Sequence, residues 1–143
     1  MITVTRSTTS HAKELAAAKQ ALSRLINDEC RTVRALFVTD LPGQEMIYLQ
    51  KEAEAAAFVA DPDPELTDYP FIAAEVGATA PTAYEVAQVY LNLAVQWRMI
   101  GAGLEQVRLG ALGATEAATS KLELSGVQSM FASSLEAFKA QLT

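Results

Sequence analysis

Three groups of side chains in this 143-residue chain have types that do chemistry elsewhere. Asp61, Asp63, Glu65 and Asp68 crowd four carboxylates together, the density a calcium loop requires. An EF-hand loop starting at Asp61 needs glycine at its sixth place and glutamate at its twelfth. This chain has Leu66 and Ile72 there, with Pro62 and Pro64 between the acids, so the cluster reads as a solvated acidic loop. Cys30 and His11 are the second group, the ingredients of a thiolate–imidazole pair. They lie nineteen positions apart on one predicted helix, about 28 Å by the helix rise, which excludes the pair if that helix is continuous. Cys30 instead reads as a small hydrophobe, with Arg31 and Arg34 close in sequence, and His11 as an exposed polar residue. A zinc or haem site would have to be shared between chains, since there is one Cys and one His. Gly101, Gly103, Gly110 and Gly113 are the third group. They fit neither phosphate-loop pattern and fall inside a helical periodicity, not after a strand. Gly103 and Gly110, one heptad apart, either admit a close backbone neighbour or mark a kink. No catalytic, cofactor-binding or metal-ligating residue is assigned, and the expectation is a non-enzyme without cofactor or small-molecule substrate.

The elements that carry these residues are helical. Val86, Tyr90, Leu93, Trp97, Ile100, Leu104, Val107 and Ala111 form one apolar stripe whose steps alternate between four and three residues. That is the a/d spacing of helices packed along their length, within one chain or as a coiled coil between chains. Trp97 on the stripe is expected in the core, where Trp97→Ala would cost roughly 3–5 kcal/mol.

Upstream, Thr9 or Ser10 can cap a helix running to about Val38, with Leu15, Ala18, Leu22, Ile26, Cys30, Val33 and Phe37 as its apolar positions. Pro42-Gly43 breaks it at a turn that calls for positive φ at the glycine. A second helix, roughly Gln44 to Ala60, shows Met46, Leu49, Ala53, Ala56 and Ala57 on one face, and the two read as an antiparallel hairpin over about 10–60. The acidic, proline-stiffened connector 61–68 cannot continue a helix. Tyr69-Pro70 opens a short helix ending at Gly77. Thr82 and Glu85 form a capping box for the long striped helix, about 82–112. Ser120 and Glu123 form another for a last helix, about 120–142, with Leu124, Val127, Phe131, Leu135, Phe138 and Leu142 inward. Residues 1–8 alternate Ile2-Thr3-Val4-Thr5, an extended arm able to add a strand to a neighbouring subunit. The expected fold is therefore all-α, an elongated bundle of about four long helices plus one short helix. A single helical domain, 9–143, follows the arm.

Composition narrows the class. Half of the residues are apolar, but only 7% are aromatic, which favours thin, closely packed helices. No run reaches the eighteen apolar residues of a bilayer span, and the first residues lack the apolar region of a signal peptide, so no membrane association is expected. The net charge of −6 is uneven: residues 41–90 carry one Lys/Arg against nine Asp/Glu. Such acidity argues against a nucleic-acid surface. It places the slightly basic first helix near the acidic middle, turns that middle towards a basic partner, or simply solvates it.

Leu25-Ile26-Asn27-Asp28-Glu29-Cys30-Arg31 and the run from Pro42-Gly43-Gln44-Glu45-Met46 to Lys51-Glu52-Ala53-Glu54-Ala55 resemble small helical proteins of phage and prophage tail gene clusters. Asp68-Tyr69-Pro70, Ala73-Ala74-Glu75, Trp97 and Glu105-x-x-Arg108-Leu109-Gly110 extend the resemblance over most of the chain. Related segments occur as helical modules attached to, or encoded beside, tail-fibre and other tail proteins. The resemblance implies a virion structural subunit made in the host cytoplasm, with other tail or fibre proteins as partners and no enzymatic activity. An assembly chaperone absent from the finished particle is the alternative. Closed rings or fibres would multiply weak contacts, so a homo-oligomer is expected. The contact residues are then the arm (Ile2, Val4) and the stripe (Leu93, Trp97, Ile100, Leu104).

Overall fold

The computed structural model describes residues 7–37 and 43–142. Ile2, Val4 and Pro42 lie outside them, as do the arm's first six residues. Among the described residues the chain is all-α: α1 (Thr8–Ala35), α2 (Gln44–Ala60), a 3₁₀ turn (Leu66–Asp68), α3 (Pro70–Glu75), α4 (Ala83–Ala117) and α5 (Lys121–Gln141). Four of the helices are long and one is short.

Side-chain chemistry sets the helix ends. α1 is capped by Ser7, whose Oγ accepts the N–H of Ser10 at 3.2 Å, so the helix begins earlier than Thr9 or Ser10 would start it. Thr8, expected in the arm, is already helical. The Thr82 box closes reciprocally: Glu85 N–H donates to Thr82 Oγ1 at 3.2 Å, and Thr82 N–H donates to Glu85 Oε2 at 3.1 Å. At α5 the box is skewed. Glu123 N–H donates to Ser120 Oγ at 3.1 Å, but the Glu123 carboxylate reaches back to Thr119 N–H at 2.6 Å. Gly43 and Gly77 hold φ of 82° and 85°, the left-handed region that a Cβ disfavours. Gly77 N–H donates to Ala80 O at 2.7 Å and closes the turn between α3 and α4.

The helices form two compact units, Met1–Leu36 with Ile100–Thr143, and Phe37–Met99. The helices of the expected α1–α2 hairpin therefore belong to different units. The first unit holds α1, residues 100–117 of α4, and α5. Lys19 Nζ donates to Glu116 O at 2.6 Å, Arg108 Nη1 donates to Asn27 Oδ1 at 3.1 Å, and Arg34 lies 3.9 Å from Glu105. Residue numbers fall along α4 as they rise along α1, so these two are antiparallel. α5 runs parallel to α1: Lys121 meets Glu14 at 3.3 Å, and Leu124 and Gln128 border the same groove as Leu22 and Leu25. Leu22, Ile26, Cys30 and Val33 are buried along α1, with Leu104, Leu124, Phe131, Leu135 and Phe138 buried on the other helices. Each large side chain so buried contributes about 1.5–3 kcal/mol. Gly103 seats the Phe138 ring, where a Cβ would collide with it, while nothing lies within 4 Å of a Cβ placed on Gly110. Of the two glycine readings, close approach holds at Gly103, with a ring in place of a backbone.

The second unit holds α2, α3 and residues 83–99 of α4. Its core is Ala55, Phe58, Tyr69, Ile72, Val86, Ala87 and Tyr90, with the Phe58 and Tyr69 rings edge to face at 5.1 Å. The apolar face of α2 that the spacing picks out is exposed. Met46 and Leu49 are 66% and 68% exposed, and Ala53, Ala56 and Ala57 are exposed too. Ala55 and Phe58 are buried instead, and Ile47, Tyr48, Lys51 and Glu54 are half-buried. The reason is tertiary: Lys51 and Glu54 have partners on α3 that hold this polar side inward.

Candidate interaction surface

The stripe on α4 is buried at its ends and open in its middle. Val86, Tyr90 and Leu104 are buried, Trp97 and Ile100 half-buried, and Leu93 exposed. Leu104 is enclosed wholly by its own chain, so of the stripe residues expected to make contacts Leu93, Trp97 and Ile100 present surface. Trp97 is not a core tryptophan: its ring tilts at 44° over Tyr48, centroids 4.2 Å apart. Beside it, Arg98 pairs with Glu52. Val95 and Met99 add exposed apolar surface on the same helix.

The polar groups of the second unit fasten its helices to one another. α3 begins with Pro70, and its N-cap, Tyr69, offers no side-chain acceptor, leaving the first N–H groups to find one elsewhere. Glu54 of α2 supplies it: Oε1 accepts from Phe71 N–H and Oε2 from Ile72 N–H, both at 3.1 Å. The carboxylate also meets the positive end of the helix dipole. One turn away, Lys51 pairs with Glu75, and its ammonium lies 5.0 Å from the centroid of the Tyr90 ring. Burial raises the Glu75 carboxyl, but the hydrogen bonds from Lys51 and Thr79, with the Tyr90 hydroxyl nearby, outweigh it and leave the pKa below the ordinary 4.5. The Tyr90 hydroxyl donates to Phe71 O at 3.1 Å, and burial, then the nearby Glu75 carboxylate, push its phenol upward.

Asp61, first of the supposed calcium ligands, is engaged within the chain. It accepts Tyr69 Oη–H at 2.7 Å and Asp63 N–H at 3.0 Å, an Asx turn that starts the connector. Those bonds hold Asp61 below its ordinary pKa of 3.8, and the bond to Asp61 pushes Tyr69 up to about 12. Among the described residues no group of three or more His, Cys, Asp or Glu side chains is arranged to hold a metal ion.

In the first unit, Arg108 grips Glu105 through two nitrogens and bonds Asn27 with a third. Cys30 is buried beside them. Its burial pushes the thiol pKa up, against the opposing pull of Arg108 and Arg34, so it stays protonated at neutral pH. His11 and Cys30 sit on the same unbroken helix, as the spacing argument required. Between α4 and α5 an open groove is lined by Val107, Gly110, Ala114, Val127, Met130 and Phe131, with Met130 72% exposed.

The outer face of α2 is the apolar face that its helical spacing marks. Met46, Leu49, Ala53, Ala56, Ala57 and Ala60 follow one another at helical spacing, all exposed, with no charge among them. Tyr48, Lys51, Ala55 and Phe58, at steps of three, four and three, were the available signal for the true inner face. No family model, curated protein or solved structure matches this chain. Among the described residues no helix is long and apolar enough to cross a membrane.

Proposed function

We propose that this chain is a structural subunit of a phage particle, associated with the tail or tail fibre and acting through helix packing against other tail proteins and further copies of itself. The observation that carries the reading is the use to which its tail-like motif residues are put. Glu54 caps α3, Lys51 pairs with Glu75, Tyr69 bonds Asp61, Trp97 packs on Tyr48, and Arg108 bonds Asn27 of α1. Each fastens helices or turns within its own unit, which is the work of a scaffold. The exposed apolar side chains Met46, Leu49, Leu93, Val95 and Met99 then remain for contact with neighbours. Mass spectrometry of purified particles from the source, with copy number taken against the major tail protein, tests the proposal. Stoichiometric presence supports it. Absence, with the protein abundant in infected cells, refutes it in favour of an assembly chaperone.

A further inference from the structure

The outer face of α2 has a composition that selects its partner. Met46, Leu49, Ala53, Ala56, Ala57 and Ala60 make an uncharged strip about four turns long, roughly 21 Å at 1.5 Å per residue. Its two large side chains stand at one end. The alanines of the other end would let a second helix axis approach to about 8 Å, the near limit for packed helices. The only cation of α2, Lys51, is turned away onto Glu75 and Tyr90. Glu45 and Glu52 border the strip along one edge, and the connector beyond its end carries exposed Asp63, Glu65 and Asp68. Arg98, paired with Glu52, is the cation beside that edge, in a segment, 41–90 extended by this residue, that is otherwise strongly acidic.

From this combination we infer that the outer face of α2 docks an amphipathic helix of another protein, one whose apolar stripe is bordered by Lys or Arg. The inference stands on the second unit alone and holds whether or not the chain is a tail component. Charge decides against a second copy of this chain as the occupant. A two-fold antiparallel pairing of α2 with itself brings the Glu45 end of each strip to the acidic 61–68 connector of the copy, like charge facing like. A basic partner helix meets the acids with complementary charge and covers the strip with its own apolar side chains.

The test uses the full chain and a fluorescent synthetic helix of about 20 residues, leucine on one face and lysine along both edges, with an all-glutamate version as control. The lysine peptide is expected to bind, and to weaken at about 0.5 M salt, where screening is short-ranged. Leu49→Asp decides between docking and mere charge attraction. It adds an acid, so attraction by charge alone would tighten binding, whereas docking on the strip predicts a loss of about tenfold or more. Ala53→Asp, at the centre of the strip, should act the same way. Both positions are exposed, so circular dichroism of the variants should match the parent. Equal or tighter binding by Leu49→Asp, or equal binding of the glutamate peptide, overturns the inference. So does a dimer in sedimentation analysis that Leu49→Asp dissolves, which would make the occupant a second copy.

Discussion

Gly103 and Gly110 share a helix and a heptad position, yet they should respond oppositely to the same substitution. Replacing a mid-helix glycine with alanine removes backbone freedom from the unfolded chain and stabilises by about 0.5–1 kcal/mol where space allows. Space allows at Gly110, where nothing lies within 4 Å of the new methyl. At Gly103 the methyl would overlap Phe138 Cε2 and lie 3.2 Å from Cδ2 and Cζ, and that ring is buried against α4. Moving a packed ring off its seat costs roughly 1–3 kcal/mol, which exceeds the helix gain. Gly110→Ala should therefore raise the melting temperature by about 2–3 °C, and Gly103→Ala should lower it by up to about 6 °C. Urea denaturation of both variants gives the free energies directly. Phe138→Leu combined with Gly103→Ala should cost less than the two separate losses together, by about 1 kcal/mol. A Gly103→Ala protein as stable as Gly110→Ala would refute the seat.

Other substitutions examine the second unit. Glu54→Ala should cost about 2 kcal/mol in urea denaturation, because two N–H groups at the start of α3 lose a charged acceptor, and Glu54→Gln should recover part of it. Trp97→Ala should cost about 1–2 kcal/mol, well short of the full-burial value, since the ring is only half covered and rests on Tyr48. Tyr69 is an acid with its pKa raised from 10.0 to about 12, so the stability it confers is complete below pH 10 and lost as pH rises through 12. An alkaline titration followed by circular dichroism should show that loss, and Tyr69→Phe should flatten it.

Where the sequence was readable and where it was not follows from which interactions are local. The Thr82–Glu85 box, the turn glycine Gly43 and the inner face of α1 depend on residues a turn or less apart, and the structure shows all three. The inner face of α2 depends on α3, seventeen or more residues away: Glu54 and Lys51 point inward because Phe71, Ile72 and Glu75 meet them there. A periodicity search scores those two as outward. Alanine blurs the pattern, since Ala53, Ala56 and Ala57 suit either face while Ala55 is the one buried. The clue was Tyr69-Pro70, a helix start with no local acceptor, which implies a carboxylate from elsewhere. The stripe on α4 misled differently. Its regular spacing runs through Leu93, Trp97 and Ile100 without a break, but its residues belong to two compact units, and these three are not buried in either. Periodicity records that a face is apolar and says nothing of which neighbour covers it.

On the proposed function, this chain would work by laying exposed apolar side chains against other proteins. Oxidative footprinting measures it at named atoms, because Met46, Met99 and Met130 are 66%, 71% and 72% exposed in the free chain. The rates of sulfoxide formation should be compared between the isolated protein and the same protein in purified particles. All three should oxidise readily in isolation, and Met46 should become protected by about tenfold on assembly as the outer face of α2 is covered. Unchanged rates at all three methionines in the particle would contradict it.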